Sequence, residues 1–316
     1  MIFQVFRTHT SDYLGESFLE KEQSALQKID GLTYCESLSQ VDPEKPLILI
    51  GSSQSKYEEF TRQKYKQLQL VIHANSGFDN ISVDWCDSLT IPIIACHEIR
   101  QYAVSEYILA CLFEHFTKIP RRENWNRTWD RKLLAQQKIL LLGFGHIGKI
   151  VYQNLLPLAK NIVISDPFKG WETNTDDVFD VIINCTSLNP TTKEFIDKDF
   201  LKKLSPQGLF INAARGKSVQ EKDLLDFLTQ NPNATAYLDV FANEPMDFKL
   251  IKDFSNIIPT SHQAGVFKNI SKQVIETEKR ILQNFINLKE AEFTEMYKDE
   301  ILSNRIIEFN GKRLFR

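Results

Sequence analysis

The sequence predicts an α/β protein of two domains, one of them built on a doubly wound parallel sheet. Three observations carry that prediction. Short apolar runs alternate with polar helical stretches through the first hundred residues, the same alternation restarts at Lys138, and a glycine-rich turn, GFGHIG (143–148), stands at the restart. Strand and helix patterns in alternation imply βαβ units and a parallel sheet. A chain of 316 residues also exceeds one domain of roughly 100–200 residues.

In the first part the strand candidates are IFQVF from Ile2, LTYC from Leu32, LILI from Leu47, LQLVIHA from Leu68 and IPIIAC from Ile91. They suffice for a small α/β domain. A helix follows over Ser105–Lys118, with Ile108, Leu109, Leu112, Phe113 and Phe116 on a broad apolar face that predicts core packing or a subunit interface. Strand candidates resume at 138–142, 161–165, 181–184, 209–212, 235–239 and 257–259, enough for a doubly wound sheet. The connection from Asp166 to Asp180 lacks a long amphipathic pattern and predicts an irregular turn or a very short helix. Residues 267–289 return to a long helix carrying Ile270, Val274, Ile275, Ile281, Leu282, Phe285 and Ile286. The end of the chain alternates apolar residues around Asn310-Gly311, a hairpin signal, with a frayed tail as the alternative.

The glycine turn has the layout of a dinucleotide site. Gly143 permits the tight strand-to-helix turn, Gly145 lets backbone approach a pyrophosphate, and Gly148 lets the new helix pack closely on its strand. Backbone N–H groups at the helix start, including that of His146, then face the anion. Asp166 closes the next apolar run, where its carboxylate accepts from ribose hydroxyls and repels a 2′-phosphate, so the cofactor expected is NAD(H) rather than NADP(H).

Hydride transfer needs an acid for the carbonyl oxygen and a cation for an acidic substrate. His262, Arg215 and Glu244 each follow a different strand candidate, which places them on one edge of one sheet, where ligands bind in such folds. Arg215 offers a planar fork for a carboxylate, and Glu244 can hold His262 protonated. Taken singly each also fits an ordinary loop residue; their convergence carries the reading. No metal-binding spacing is present, and Cys35, Cys86, Cys96, Cys111 and Cys185 are too scattered for a disulfide framework. With 38 basic and 41 acidic residues, net charge −3, nucleic acid and anionic membrane are not expected partners. The start of the chain lacks a signal-peptide layout and no apolar stretch is long enough to span a bilayer, so a cytoplasmic location is expected.

These motifs together resemble the D-isomer-specific 2-hydroxyacid dehydrogenases. The marks are ANSGFDN (74–80), VSEYILA (104–110), GFGHIG (143–148) with Asp166, CTSLNPTT (185–192), NAARG (212–216), LDVFANEP (238–245) and SHQAG (261–265), in matching order and spacing. The resemblance implies a Rossmann-type NAD-binding domain over 99–287, inserted into a flavodoxin-like substrate domain made of 1–98 and completed by 288–316. It implies that Arg215 binds the keto-acid carboxylate and carbonyl oxygen, that His262 donates the proton, and that Glu244 pairs with His262. Backbone N–H groups around Ser76 and Gly77 would bind the substrate carboxylate. His146 and Ile147 would contact phosphates, Asp239 would lie near the nicotinamide carboxamide, and Cys185, Thr186, Ala213, Ala264 and Gly265 would line the cofactor beside Arg215 and His262. The substrate implied is a small 2-keto or 2-hydroxy acid, and the assembly a homodimer. The chain departs from the family pattern at Asn75, at Ser187, in the short 166–180 connection and beyond about residue 295. Two other functions share these residues: a phosphoglycerate-type dehydrogenase of phosphorylated acids, although no basic cluster adjoins ANSGFDN in sequence, and a non-catalytic NADH-sensing protein of the corepressor kind.

Overall fold

The computed structural model describes residues 2–125, 127–171, 176–309 and 311–316. The chain divides into two compact units, the first holding everything up to Arg100 together with Val266–Arg316, the second Gln101–Gly265.

The first unit begins with β1 (Phe3–Arg7), α1 (Phe18–Leu26), β2 (Leu32–Cys35), β3 (Leu47–Gly51), β4 (Leu68–His73), α2 (Val83–Leu89) and β5 (Ile93–Ala95). Its five strands pair in the order β2-β1-β3-β4-β5, all parallel. β3 reads as an unbroken apolar run because every one of its residues is buried, as expected of a strand covered on both faces. The second unit contains α3 (Gln101–Thr117), β6 (Lys138–Leu142), α4 (His146–Leu155), β7 (Asn161–Ser165), β8 (Phe179–Asn184), α5 (Lys198–Leu201), β9 (Leu204–Asn212), α6 (Glu221–Gln230), β10 (Thr235–Leu238) and β11 (Ile257–Pro259). Its six parallel strands run β11-β10-β9-β8-β6-β7. The chain turns one way from β6 to β7 and the other way to β8, so the switch point lies between β6 and β8. That is where open α/β sheets take ligands. The rest of the first unit is α7 (Ile270–Asn287), α8 (Glu290–Met296) and the antiparallel pair β12 (Ile306–Phe309) and β13 (Lys312–Phe315).

One expectation needs adjustment and two alternatives are decided. The chain returns to the first unit at Val266 rather than at 288, because α7 lays Ile270, Val274, Ile281 and Leu282 into the core formed by Val5, Phe18 and Ile48. The apolar face of α3 is not left for a partner: Val104, Ile108, Cys111, Leu112 and Phe116 pack inside the second unit against Ile139, Val151 and Leu155. The exposed apolar side chains lie on its other side and beyond it, at Tyr102, Phe113, Ile119 and Trp125. The tail is a docked ribbon, with Phe315 edge-on to Phe78, their centroids 5.4 Å apart; Asn310 lies outside the described residues. In the short connection after β7, a turn over Pro167–Lys169 is closed by two backbone hydrogen bonds between Asp166 and Trp171; residues 172–175 lie outside the described residues. Among the described residues no helix is long and apolar enough to cross a membrane.

A buried ionic cluster joins the two chain segments of the first unit. Arg7 on β1 donates from Nε to both oxygens of Glu22 on α1 at 2.7 and 2.8 Å, and from Nη2 to Glu278 on α7, while Tyr34 Oη donates to Glu22 at 2.6 Å. Burial opposes ionisation of both carboxylates. At Glu22 the charge and hydrogen bonds of Arg7 overcome it and hold the carboxyl below its usual range, whereas at Glu278 burial prevails and pushes the carboxyl well above it. Arg7 therefore favours the anion of Glu22, while burial works against that of Glu278. Glu22→Ala should strand the guanidinium and cost about 3–5 kcal/mol in urea unfolding. A loss below about 1 kcal/mol would mean that the pair behaves like a solvent-screened one.

Candidate active site

Strand register sets the site. Across the second sheet Leu142 lies opposite Asn184, Asn184 opposite Asn212, Asn212 opposite Leu238, and Leu238 opposite Pro259. The loops that follow begin in one row, at Gly143, Cys185, Ala213, Asp239 and Thr260. The glycine turn and the motifs at 185–192, 212–216, 238–245 and 261–265 therefore open from the same edge, and Asp166 follows the neighbouring β7.

The glycine turn is shaped as its sequence requires. Gly143 has φ +84°, and a Cβ there would stand 2.8 Å from the carbonyl oxygen of Cys185. At Gly148 a Cβ would come within 2.1 Å of Gly143 O, so α4 can pack on the turn only through glycine. At Gly145 a Cβ would meet nothing within 4 Å, which leaves space over the loop for a ligand. His146 and Ile147 open α4, whose first N–H groups have no intrahelical acceptor. Asp166 is buried, and its Oδ2 accepts from Phe144 N at 2.8 Å and lies 3.8 Å from Lys169 Nζ. The acid thus braces the glycine loop as well as closing β7. Cys185 lies beneath this turn, and burial pushes its thiol up to about 12, so it stays protonated and is no nucleophile.

His262 and Glu244 meet, and Arg215 stands near enough for its charge to act on Glu244. His262 Nδ1 and Glu244 Oε2 are 2.7 Å apart, and Glu244 Oε1 accepts from Phe241 N at 3.0 Å. Burial works against the Glu244 anion, but the hydrogen bonds from His262 and Phe241 and the positive charges of His262 and Arg215 outweigh it and hold the carboxyl below its usual range. Arg215 is brought in by its neighbour: a Cβ on Gly216 would fall 1.9 Å from the carbonyl carbon of Phe241, so the two loops touch backbone to backbone. Half-exposed His262 presents its other nitrogen, Nε2, away from Glu244.

Several residues that hold this arrangement were not singled out from sequence. Asn184 Nδ2 donates to Asn212 Oδ1 at 3.1 Å and to Ser218 Oγ at 2.8 Å, and Asn184 Oδ1 accepts from the N–H and hydroxyl of Thr186. Asn212 Nδ2 and Ser218 Oγ both donate to Arg215 O, and Ala214 N donates to Asn212 Oδ1. This network fixes the backbone on which Arg215, Ala213 and Thr186 stand. The signal was present, since a polar Asn ends each of the apolar runs VIIN and LFIN. Asp239, expected near the nicotinamide carboxamide, has a carboxylate that accepts from Thr260 Oγ1 at 2.6 Å, Gln263 N at 2.8 Å and Ala264 N at 2.9 Å, so it binds the loop that carries His262. Ala264 is buried by that tether and Gly265 ends the unit.

Ser76 and Gly77 belong to the first unit, in the loop after β4. Gly77 O is 2.7 Å from His73 Nε2, and His73 Nδ1 is 2.8 Å from Tyr57 Oη, so a buried Tyr–His pair fixes the loop carbonyl. With a carbonyl at Nε2, that nitrogen carries the proton and Nδ1 accepts from the phenol. Ser76 Oγ donates to His97 O at 3.3 Å. Among the described residues no cluster of His, Cys, Asp and Glu could hold a metal.

Residues 109–264 match the model of the D-isomer specific 2-hydroxyacid dehydrogenase NAD binding domain. That match lies within the second unit. A curated relative, the D-3-phosphoglycerate dehydrogenase of Mycobacterium bovis, is 28% identical over 260 residues, covering 76% of this chain and 49% of its own length. The chain thus spans about half the length of such relatives. The (S)-sulfolactate dehydrogenase of Chromohalobacter salexigens is 25% identical over 252 residues, 72% of this chain and 80% of that protein. Among solved structures, the D-lactate dehydrogenase of Aquifex aeolicus complexed with NAD and lactic acid superposes with a TM-score of 0.70 at 18% identity, covering 95% of this chain and 99% of that one. That likeness shows the fold alone, two α/β domains each built on a parallel sheet.

Proposed function

We propose that the protein is an NAD-dependent D-2-hydroxyacid dehydrogenase, interconverting a small 2-keto acid and its D-2-hydroxy acid. The observation that carries this reading is the 2.7 Å His262–Glu244 pair beside Arg215, opening from the same sheet edge as the glycine loop. The space over Gly145 and the N–H groups of α4 suit a pyrophosphate, and Asp166 suits the ribose hydroxyls. The bound nicotinamide supplies or accepts the hydride. Arg215 holds the substrate carboxylate and polarises the carbonyl oxygen through its fixed cationic fork. His262, with Nδ1–H donated to Glu244, delivers the Nε2 proton to the oxygen as hydride reaches the carbonyl carbon. Keto acid, NADH and one proton become hydroxy acid and NAD+, and the reverse reaction returns the proton to Nε2. Glu244 fixes the orientation of the imidazole through Nδ1. Backbone N–H groups of Ser76 and Gly77 are a further carboxylate-binding element, in a first unit whose 2-1-3-4-5 strand order we read as flavodoxin-like.

We also infer that the assembly is a homodimer, formed through the stretch from Phe113 to Leu133 rather than the buried face of α3. Ile119 is 81% and Trp125 90% exposed there, with Phe113, Trp129 and Leu133 also exposed, an apolar display that a second copy would cover. Sedimentation should report twice the mass of one chain; a monomer at micromolar concentration would contradict it.

The central test of the reading is NADH oxidation with glyoxylate, pyruvate and hydroxypyruvate. Turnover is expected with at least one, and NADH should exceed NADPH in kcat/KM by about tenfold or more, since Asp166 opposes a 2′-phosphate. Binding of NADH with no turnover of any 2-keto acid would favour a sensor instead, and equal use of the two cofactors would remove the role given to Asp166.

A further inference from the structure

The apolar helix α3 makes a polar contact with the loop that carries His262. Tyr107, half-buried on α3, places its phenol oxygen 2.8 Å from Thr260 Oγ1, 153 positions further along the chain and within the same unit. The Thr260 hydroxyl is already committed as a donor, to Asp239 Oδ1 at 2.6 Å. A hydroxyl has one proton to give, so between these two Tyr107 donates and Thr260 accepts. Burial pushes the Tyr107 phenol above its usual range and keeps that proton in place. The hydrogen bonds therefore run in one direction, from Tyr107 to Thr260 to Asp239.

Strand pairing holds this loop from one side. β11, which leads into it, is an edge strand of three residues paired with β10. The Thr260 N–H donates to Leu238 O at 2.9 Å, and Asp239 takes the N–H groups of Gln263 and Ala264, so these contacts all reach inward to the end of β10. Helix α3 supplies a second anchor. Ala264 is buried in the core that holds Val104, Ile108 and Leu112, and Tyr107 packs against that core, so the helix takes one end of the loop by packing and the other by hydrogen bond. A phenylalanine would fill the same apolar surroundings. The hydroxyl is the part of Tyr107 that packing does not require, and a half-buried polar group of this kind is costly unless it is paired.

We propose that Tyr107 is a positioning residue for His262, acting through Thr260 and Asp239 on the loop that carries the imidazole. The inference rests on the dehydrogenase reading above, in which His262 is the acid. His262 sits between the two anchored ends with φ +50°, and its N–H donates to Asp239 O at 2.7 Å. A left-handed histidine persists only where its surroundings hold it there. The phenol proton fills an acceptor site on Thr260 Oγ1 and so keeps the Thr260 proton directed at Asp239. Without it the Thr260 hydroxyl can rotate away, the buried carboxylate loses a donor, and the loop gains room to drift from the geometry that proton transfer needs.

The test compares Tyr107→Phe, Thr260→Val, Thr260→Ser and the double variant Tyr107→Phe/Thr260→Val in the intact protein, by amide hydrogen exchange and by reductive kinetics with NADH. Tyr107→Phe should speed exchange of the His262, Gln263 and Ala264 amides by about tenfold and leave those of β6 unchanged. With the 2-keto acid that the wild type reduces best, its kcat should fall by about tenfold while KM stays within about twofold. Thr260→Val should lose at least as much, Thr260→Ser should keep the wild-type values, and the double variant should be no worse than Thr260→Val, because the phenol then has no hydroxyl to act through. Unchanged loop exchange in Tyr107→Phe, or losses in kcat that simply multiply in the double variant, would leave Tyr107 an ordinary core residue and overturn the proposal with the dehydrogenase reading intact. Reduction of no 2-keto acid by the wild type would overturn that reading and the kinetic role with it, whereas the exchange result, which needs no substrate, still decides the brace.

Discussion

Asp239 is 1% exposed, and its carboxylate takes a hydroxyl proton from Thr260 and amide protons from Gln263 and Ala264, so the loop that carries His262 cannot leave the end of β10 without stranding a buried anion. That tether lets His262 adopt φ +50°, a left-handed backbone that a histidine enters only at a cost of order 1 kcal/mol or more. The N–H of His262 donates to Asp239 O at 2.7 Å and completes the clamp. With the backbone so fixed, Nδ1 meets Glu244 and Nε2 is the nitrogen turned away from it. Everything proposed for the proton follows from where this one carboxylate holds the loop.

The same economy recurs along the sheet edge. Asn184 and Asn212, both buried, convert the ends of two apolar strands into a hydrogen-bonded frame for Arg215, and Gly216 has no side chain to push its loop off the Phe241 backbone. Buried polar groups of this kind are costly unless all are satisfied, so a fully bonded set also rigidifies what stands on it. In the first unit the Tyr57–His73 pair does for the Gly77 carbonyl what Asp239 does for His262. Each functional backbone is thus held by a buried polar side chain at a strand end, while the apolar faces of both sheets supply the bulk of the stability.

What the sequence revealed and what it concealed divide along physical lines. Buried parallel strands are continuous apolar runs, so β3, β6 and β8 were legible directly, and loops that follow such strands share an edge, so Arg215, Glu244 and His262 could be grouped before any distance was known. The amphipathic face of α7 announced burial but not the sheet it would bury against, and the domain boundary was therefore set too late, at 288 instead of Val266. The face of α3 raised the same ambiguity between core and interface, and core packing claims it. Contacts between distant charges left no local trace: Arg7 with Glu278, and Arg100 with the Ala74 carbonyl, depend on which strands become neighbours. Asp239 was visible as an acid after a strand, but its three hydrogen bonds to the 260–264 loop depend on the pairing of β10 with β11.

His262 is the residue on which the proposed proton transfer depends. The decisive measurement is the reductive kcat of His262→Asn, made alongside a titration of NADH binding to the same variant. Loss of the general acid should lower kcat by about 10²–10⁴-fold while NADH affinity is unchanged. A variant that retains its turnover would contradict the account, because the Glu244–His262 pair would then have no part in the chemistry.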